Sequence, residues 1–219
     1  SELTGSGGNA DSSRGEGYEL LFNEGTLLTH SDLESKRDLA IYFVLDITED
    51  MEDVLVVLQS SVFEFVGELS SKNYNVKLGA VAFSDVIETM YPLSQDISQF
   101  KRFISELAVV DGEDYHDASL LALNKAIERM QVEETEENTL KVFFVVTDNS
   151  GHDGKPDGIF DSRDCQIDKT VEMFNNFDGR LQKNTKFFHA TSSEETFFSC
   201  SGFYSAKEQY NALLDQIFP

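Results

Sequence analysis

Cations are scarce in this chain: 17 Lys and Arg stand against 40 Asp and Glu over 219 residues, a formal net charge of −23. A surface of that sign repels nucleic acid and anionic lipid headgroups, so neither is an expected partner. Tryptophan is absent, proline occurs three times and cysteine twice. Cys165 and Cys200 form no CxxC or Cys/His metal spacing, which removes the usual zinc and redox-motif readings. A disulfide between them and two separate buried thiols both stay open; the even count leans toward a disulfide in an oxidising compartment. No apolar stretch in the sequence approaches the roughly 20 residues that span a bilayer, so direct membrane insertion is not expected. The first residue is Ser1 rather than Met, which fits a processed or trimmed chain, and no signal peptide is readable.

What is present is a regular middle and end behind an irregular start. Residues 1–17, "SELTGSGGNADSSRGEG", hold five Gly and four Ser with Leu3 as the one large apolar side chain. Such a segment cannot offset the entropy of ordering, and it is expected to be a flexible tether. Residues 18–37, with "YELLF" and "TLLTH", are expected to be an extension packed on the main body. A hydrophobic content of 40% over the 219-residue chain is enough for one sizeable domain, read over residues 38–219.

Within that domain, "LAIYFVLD", "NVKLGAVAFSD" and "TLKVFFVVTD" are near-continuous apolar runs that end on Asp46, Asp85 and Asp148. Runs of this kind suit strands covered on both faces. "TKFFHATS" reads as a further strand, and "VIETMYPL", which alternates and contains Pro92, as an antiparallel edge strand. Met51, Val54, Leu55, Leu58, Val62, Phe65, Val66 and Leu69 recur at intervals of three and four and predict a helix of about five turns. Similar stripes run through Ile97–Leu107, Leu120–Met130, "QIDKTVEMFNNF" and Tyr210–Ile217. Alternating strands and helices predict an α/β fold: a doubly wound, mostly parallel sheet with one antiparallel edge strand and helices on both faces.

In such a sheet, ligands bind beyond the carboxyl ends of the strands, where the strand order reverses. Asp46 and Asp148 close the two most apolar runs and are the expected central neighbours. A third acidic stretch, "DGEDYHDAS" from Asp111 to Ser119, lies between them in sequence and precedes a helix. Oxygen ligands of this kind suit a hard divalent cation, Mg2+ at about 2.0–2.1 Å or Ca2+ at about 2.3–2.6 Å.

"FVLDITEDM", "DGEDYHDAS" and "FFVVTDNSG", in that order on predicted strand ends, resemble the von Willebrand factor type A domain. Each motif alone is weak, whereas the three in order are specific. The resemblance covers residues 38–219 and implies a metal-ion-dependent adhesion site at the top of the sheet. By motif, Asp46, Thr48 and Asp50 fall on the DxSxS positions, Asp114 on the second-loop ligand and Asp148 on the Asp of the third loop. The implied function is a divalent-cation-dependent binding or adhesion module for a protein or other macromolecular ligand, with no enzymatic activity. The loops that would set specificity carry Glu49, Glu113, Tyr115, His116, Asn149 and His152. An extracellular, cell-surface or periplasmic location, secreted or tethered through the N-terminal segment, is the expectation that the even cysteine count and the tether reading lean toward.

The motifs also depart from the family. Glu49 stands where Gly is usual, Asp50 where Ser is usual and Asn149 where Gly is usual. Four ionised carboxylates around one divalent ion leave an excess of two negative charges, which repels an acidic ligand and favours Ca2+ over Mg2+. An active site tuned in this way, a structural metal site and a degenerate site without metal therefore stay open. Asp153, Asp157, Asp161 and Asp164 hint at a second calcium loop, but Lys155 and the missing closing Glu break the EF-hand pattern. A Mg2+-dependent phosphohydrolase is the enzymatic alternative. Against it, Thr48 stands where the haloacid-dehalogenase pattern needs a second Asp, and no phosphate loop or nucleophile elbow occurs. His30 and His189 look incidental.

Overall fold

The computed structural model describes residues 38–71, 74–111, 118–149, 167–176, 184–191 and 205–217. The proposed tether and the extension over residues 18–37 lie outside these residues. The described elements run β1 (Asp38–Asp46), a 3-10 turn (Glu49–Met51), α1 (Glu52–Ser71), β2 (Asn75–Phe83), β3 (Ile87–Ser94), α2 (Ile97–Glu106), α3 (Ser119–Glu133), β4 (Leu140–Thr147), α4 (Ile167–Asn176), β5 (Thr185–Thr191) and α5 (Ala206–Ile217).

The strands form one sheet in the order β3-β2-β1-β4-β5. β2, β1, β4 and β5 are mutually parallel and β3 is antiparallel to β2, as the edge-strand reading of "VIETMYPL" requires. Pro92, which has no N–H to donate, sits on this edge, and the β2–β3 ladder shifts register twice. Chain order reverses between β1 and β4. The register aligns Leu45 with Val146, so the ends of these two strands lie side by side.

β1 is buried from Leu39 to Asp46, and its two parities feed two cores. Leu39, Ile41, Phe43 and Leu45 pack under α1 and α2, whereas Ala40, Tyr42 and Val44 pack under α3, α4 and α5. Burial on both faces explains why the run is continuously apolar instead of alternating. Each fully buried Phe, Leu or Val contributes roughly 1.5–3 kcal/mol.

On the first face an aromatic ladder crosses the whole sheet. Ring centroids are 5.3 Å apart for Phe103–Tyr91, 5.7 Å for Tyr91–Phe100 and 5.7 Å for Phe100–Phe43. The ladder continues at 5.4 Å for Phe43–Phe144 and 5.1 Å for Phe144–Phe188. Gly79 is cross-strand from Tyr42, and a Cβ there would lie 2.6 Å from two ring carbons, so this strand position has to be glycine while Tyr42 keeps its place.

One sequence expectation is corrected by the helices. The segment Glu49–Ser71 has a mean hydropathy of 1.3 over its best window and is long and apolar enough by composition to cross a membrane. Its role here is different: Leu55, Leu58, Val62, Val66 and Leu69 face the sheet, while Glu52, Asp53, Glu64 and Glu68 are exposed. The hydropathy comes from both faces of α1, since Val56 and Val57 are exposed on the outer one, and Phe65 from its flank meets the Phe144 ring edge-on at 6.1 Å. α2 starts on a side-chain cap, with Asp96 Oδ1 accepting from the Gln99 amide at 2.9 Å.

Candidate functional site

β1 delivers Asp46 to the upper end of the sheet almost completely shielded, at 1% exposure. A lone buried carboxylate would be costly, and the fold surrounds this one with donors. Asp46 Oδ1 accepts from the Thr48 amide at 2.9 Å and from Thr48 Oγ1 at 2.8 Å, closing the turn that follows the strand. Asp46 Oδ2 lies 2.8 Å from Thr147 Oγ1 at the end of β4. Thr147 Oγ1 is also 3.1 Å from the Asn149 carbonyl oxygen, so its one proton is shared between two acceptors.

Asp148 follows directly and is half-buried, with Asn149 Nδ2 donating to its Oδ1 at 3.1 Å. Burial pushes its carboxyl up, and the negative charges of Asp46 and then Asp50 push it further, to about 7. Asp50 reaches the site from the 3-10 turn, where Glu49 and Asp50 are both exposed. The structure thus sets Asp46 and Thr48 at the end of β1 beside Asp148 after β4, with Asp50 near enough for its charge to act on Asp148. Asp85 falls two residues past the end of β2, in the bend before β3.

Glu113, Asp114, Tyr115, His116, His152, Cys165 and Cys200 lie outside the described residues. The flanks of the second acidic loop are nevertheless fixed. Val110 N donates to the Ile47 carbonyl at 2.7 Å, and Thr48 and Val110 form an isolated parallel bridge. On the far side, Ala118 N donates to the Ser84 carbonyl at 2.8 Å. The chain thus leaves the top of β1 at Val110 and returns beside the top of β2 at Ala118.

Among the described residues, no three His, Cys, Asp or Glu side chains converge closely enough to hold a metal by themselves. The donor chemistry still fits a hard cation: two half-shielded or buried carboxylates, a third whose charge reaches them, and the Thr48 hydroxyl. A divalent ion there would remove the like-charge conflict that holds Asp148 partly protonated near neutrality.

Thr147 is the residue that reading the sequence misses. Its signal is parity: with Phe143 and Val145 in the core under α3, Thr147 points to the face shared by Asp46, which follows Tyr42 and Val44. His189, taken as incidental, is hydrogen-bonded to Thr191 and Asn211.

No curated protein matches the chain. The von Willebrand factor type A domain pattern matches residues 40–212, which takes in every described strand and helix except the first residues of β1 and the last turn of α5. The chain belongs to the von Willebrand factor type A domain family, whose members are commonly protein-interaction modules and not enzymes.

Proposed function

We propose that this domain binds a protein or other macromolecular ligand at the top of its sheet, and that binding depends on a divalent cation held by Asp46, Thr48, Asp50 and Asp148 together with Asp114. The observation that carries the reading is the mutual pressure of the carboxylates, with Asp148 pushed up to about 7 by burial and by Asp46 and Asp50. A bound cation supplies positive charge to this group and an electrophilic position for the ligand. The protein's own residues do the rest. Thr48 and Thr147 orient Asp46 through both of its oxygens, and Asn149 holds Asp148. Four carboxylates favour Ca2+ over Mg2+ and a non-acidic ligand over a carboxylate. An extracellular, cell-surface or periplasmic setting, with the N-terminal segment as tether, belongs to the same proposal.

Thermal unfolding tests it. Ca2+ or Mg2+ is expected to raise Tm and EDTA to reverse the rise, since a ligand at 100 times its Kd adds about 2.7 kcal/mol. Asp46→Ala and Asp148→Ala are expected to lose the response. A wild-type Tm indifferent to both cations would favour a second reading, a metal-free interaction domain. That reading draws on the donors that already satisfy Asp46: Thr48 N, Thr48 Oγ1 and Thr147 Oγ1.

A further inference from the structure

His189 stands near the end of β5, and its ring ties that strand to α5. Nδ1 lies 2.8 Å from Thr191 Oγ1 on the strand, and Nε2 lies 3.2 Å from Asn211 Oδ1 on the helix. An amide oxygen only accepts, so this network assigns the proton of the neutral ring to Nε2 and leaves Nδ1 to accept from the Thr191 hydroxyl. The ring also stacks on Tyr210 of α5, with centroids 5.7 Å apart and planes 30° from parallel. Tyr210 is fully buried and stacks in turn on Phe187 of β5 at 6.3 Å. His189 is thus part of the seam by which the last described helix docks on the last described strand.

Among the described residues the surroundings of this ring are poor in negative charge. Burial is the largest influence and works against protonation; the Asn211 oxygen works for it, and the Lys207 ammonium on α5 works against it. Among the described residues no carboxylate pairs with the ring. Glu208 and Asp215 of α5 and Asp168 and Glu172 of α4 are exposed, and β4 presents Val145 opposite.

We propose that His189 makes the docking of α5 on β5 acid-sensitive: a protonated ring there adds a half-buried positive charge close to Lys207, with no anion among the described residues to offset it, and α5 detaches more readily. The folded-state pKa lies below the ordinary histidine value of 6.5. The neutral ring's contribution is therefore complete above that value and is lost as pH falls through the folded-state one.

Amide hydrogen exchange on the intact 219-residue chain tests this, with α3 as internal reference. Between about pH 7.5 and about pH 5, after correction for intrinsic rates, α5 protection is expected to fall roughly 3–10-fold relative to α3. In His189→Gln the ratio should stay constant, and in Lys207→Ala, at an exposed position, the fall should shrink. The ring resonance missing from His189→Gln should titrate below the ordinary value. A constant ratio in the wild type, an equal fall in His189→Gln, or a ring titrating at or above the ordinary value would overturn the proposal. Should His189→Gln fail to fold, Lys207→Ala and the resonance, assigned by its contact to Tyr210, decide it.

Discussion

The two ends of the sheet treat acidic residues in opposite ways. At the lower end the half-buried Glu133 and the buried Glu134 both have partners. Glu133 Oε2 accepts from the Tyr42 hydroxyl at 2.5 Å and from the Leu93 amide at 2.9 Å, and its other oxygen pairs with Arg129. Glu134, whose side chain is fully buried, takes Lys77 Nζ at 2.9 Å and the Glu136 amide at 2.9 Å. At the upper end the charges of Asp46 and Asp50 press on Asp148, and the partners supplied are hydroxyls and amides. Charge placed for stability arrives with its counter-charge. At the upper end the described contacts to Asp46 and Asp148 come from hydroxyls and amides, which is how a site differs from a staple.

The contrast can be broken by substitutions of opposite expected sign. Glu133→Ala should have the largest effect, a loss of roughly 2–4 kcal/mol by urea unfolding, because the Tyr42 hydroxyl and Leu93 amide are left without their acceptor. Burial and the Glu133 carboxylate already hold the Tyr42 phenol well above its ordinary pKa, a sign of how shielded that pair is.

Asp148→Asn should do the reverse. In EDTA it is expected to stabilise the domain by roughly 1–2 kcal/mol, since one of three repelling charges is removed while an amide oxygen remains for Asn149. Loss of stability in both variants would erase the distinction between the two ends.

A pH series sharpens it further. Folded Asp148 holds its proton up to about pH 7, whereas the unfolded side chain releases it near 3.8. Between these values the folded state carries more protons, so metal-free stability should decline as pH rises, by at most about 1.4 kcal/mol per unit. The slope should vanish in Asp148→Asn, and saturating Ca2+ should flatten it.

The smallest effect belongs to the exposed pair Arg102–Glu106 on α2. Arg102→Ala should leave the denaturation midpoint within error of the wild type, as for most solvated i,i+4 pairs.

Much of this organisation could be read from residues alone. The runs ending at Asp46 and Asp148 gave the central strands because parallel strands buried on both faces need no alternation, and the α1 stripe gave its core face at Leu55, Leu58, Val62, Val66 and Leu69. Pro92 marked the edge. The donors around Asp46 were legible only in part. Thr48 is local and fell within a motif, but Thr147 is 101 residues away and meets Asp46 only through the β1–β4 register. His189 was passed over for the same reason, because Asn211 comes to it through the packing of α5 and not through sequence spacing.

The hydrogen bond from Tyr42 to Glu133 also has an optical consequence. With no tryptophan in the chain, ultraviolet emission comes from its seven tyrosines. A phenol donating to a carboxylate loses excited-state energy through that contact, so Tyr42 should be dark in the native domain and brighten when the lower end opens. The ladder tyrosine, Tyr91, sits among phenylalanines on the opposite face and should respond to a different event. Substituting Tyr42 or Tyr91 by Phe would assign each share of the emission to its side of the sheet.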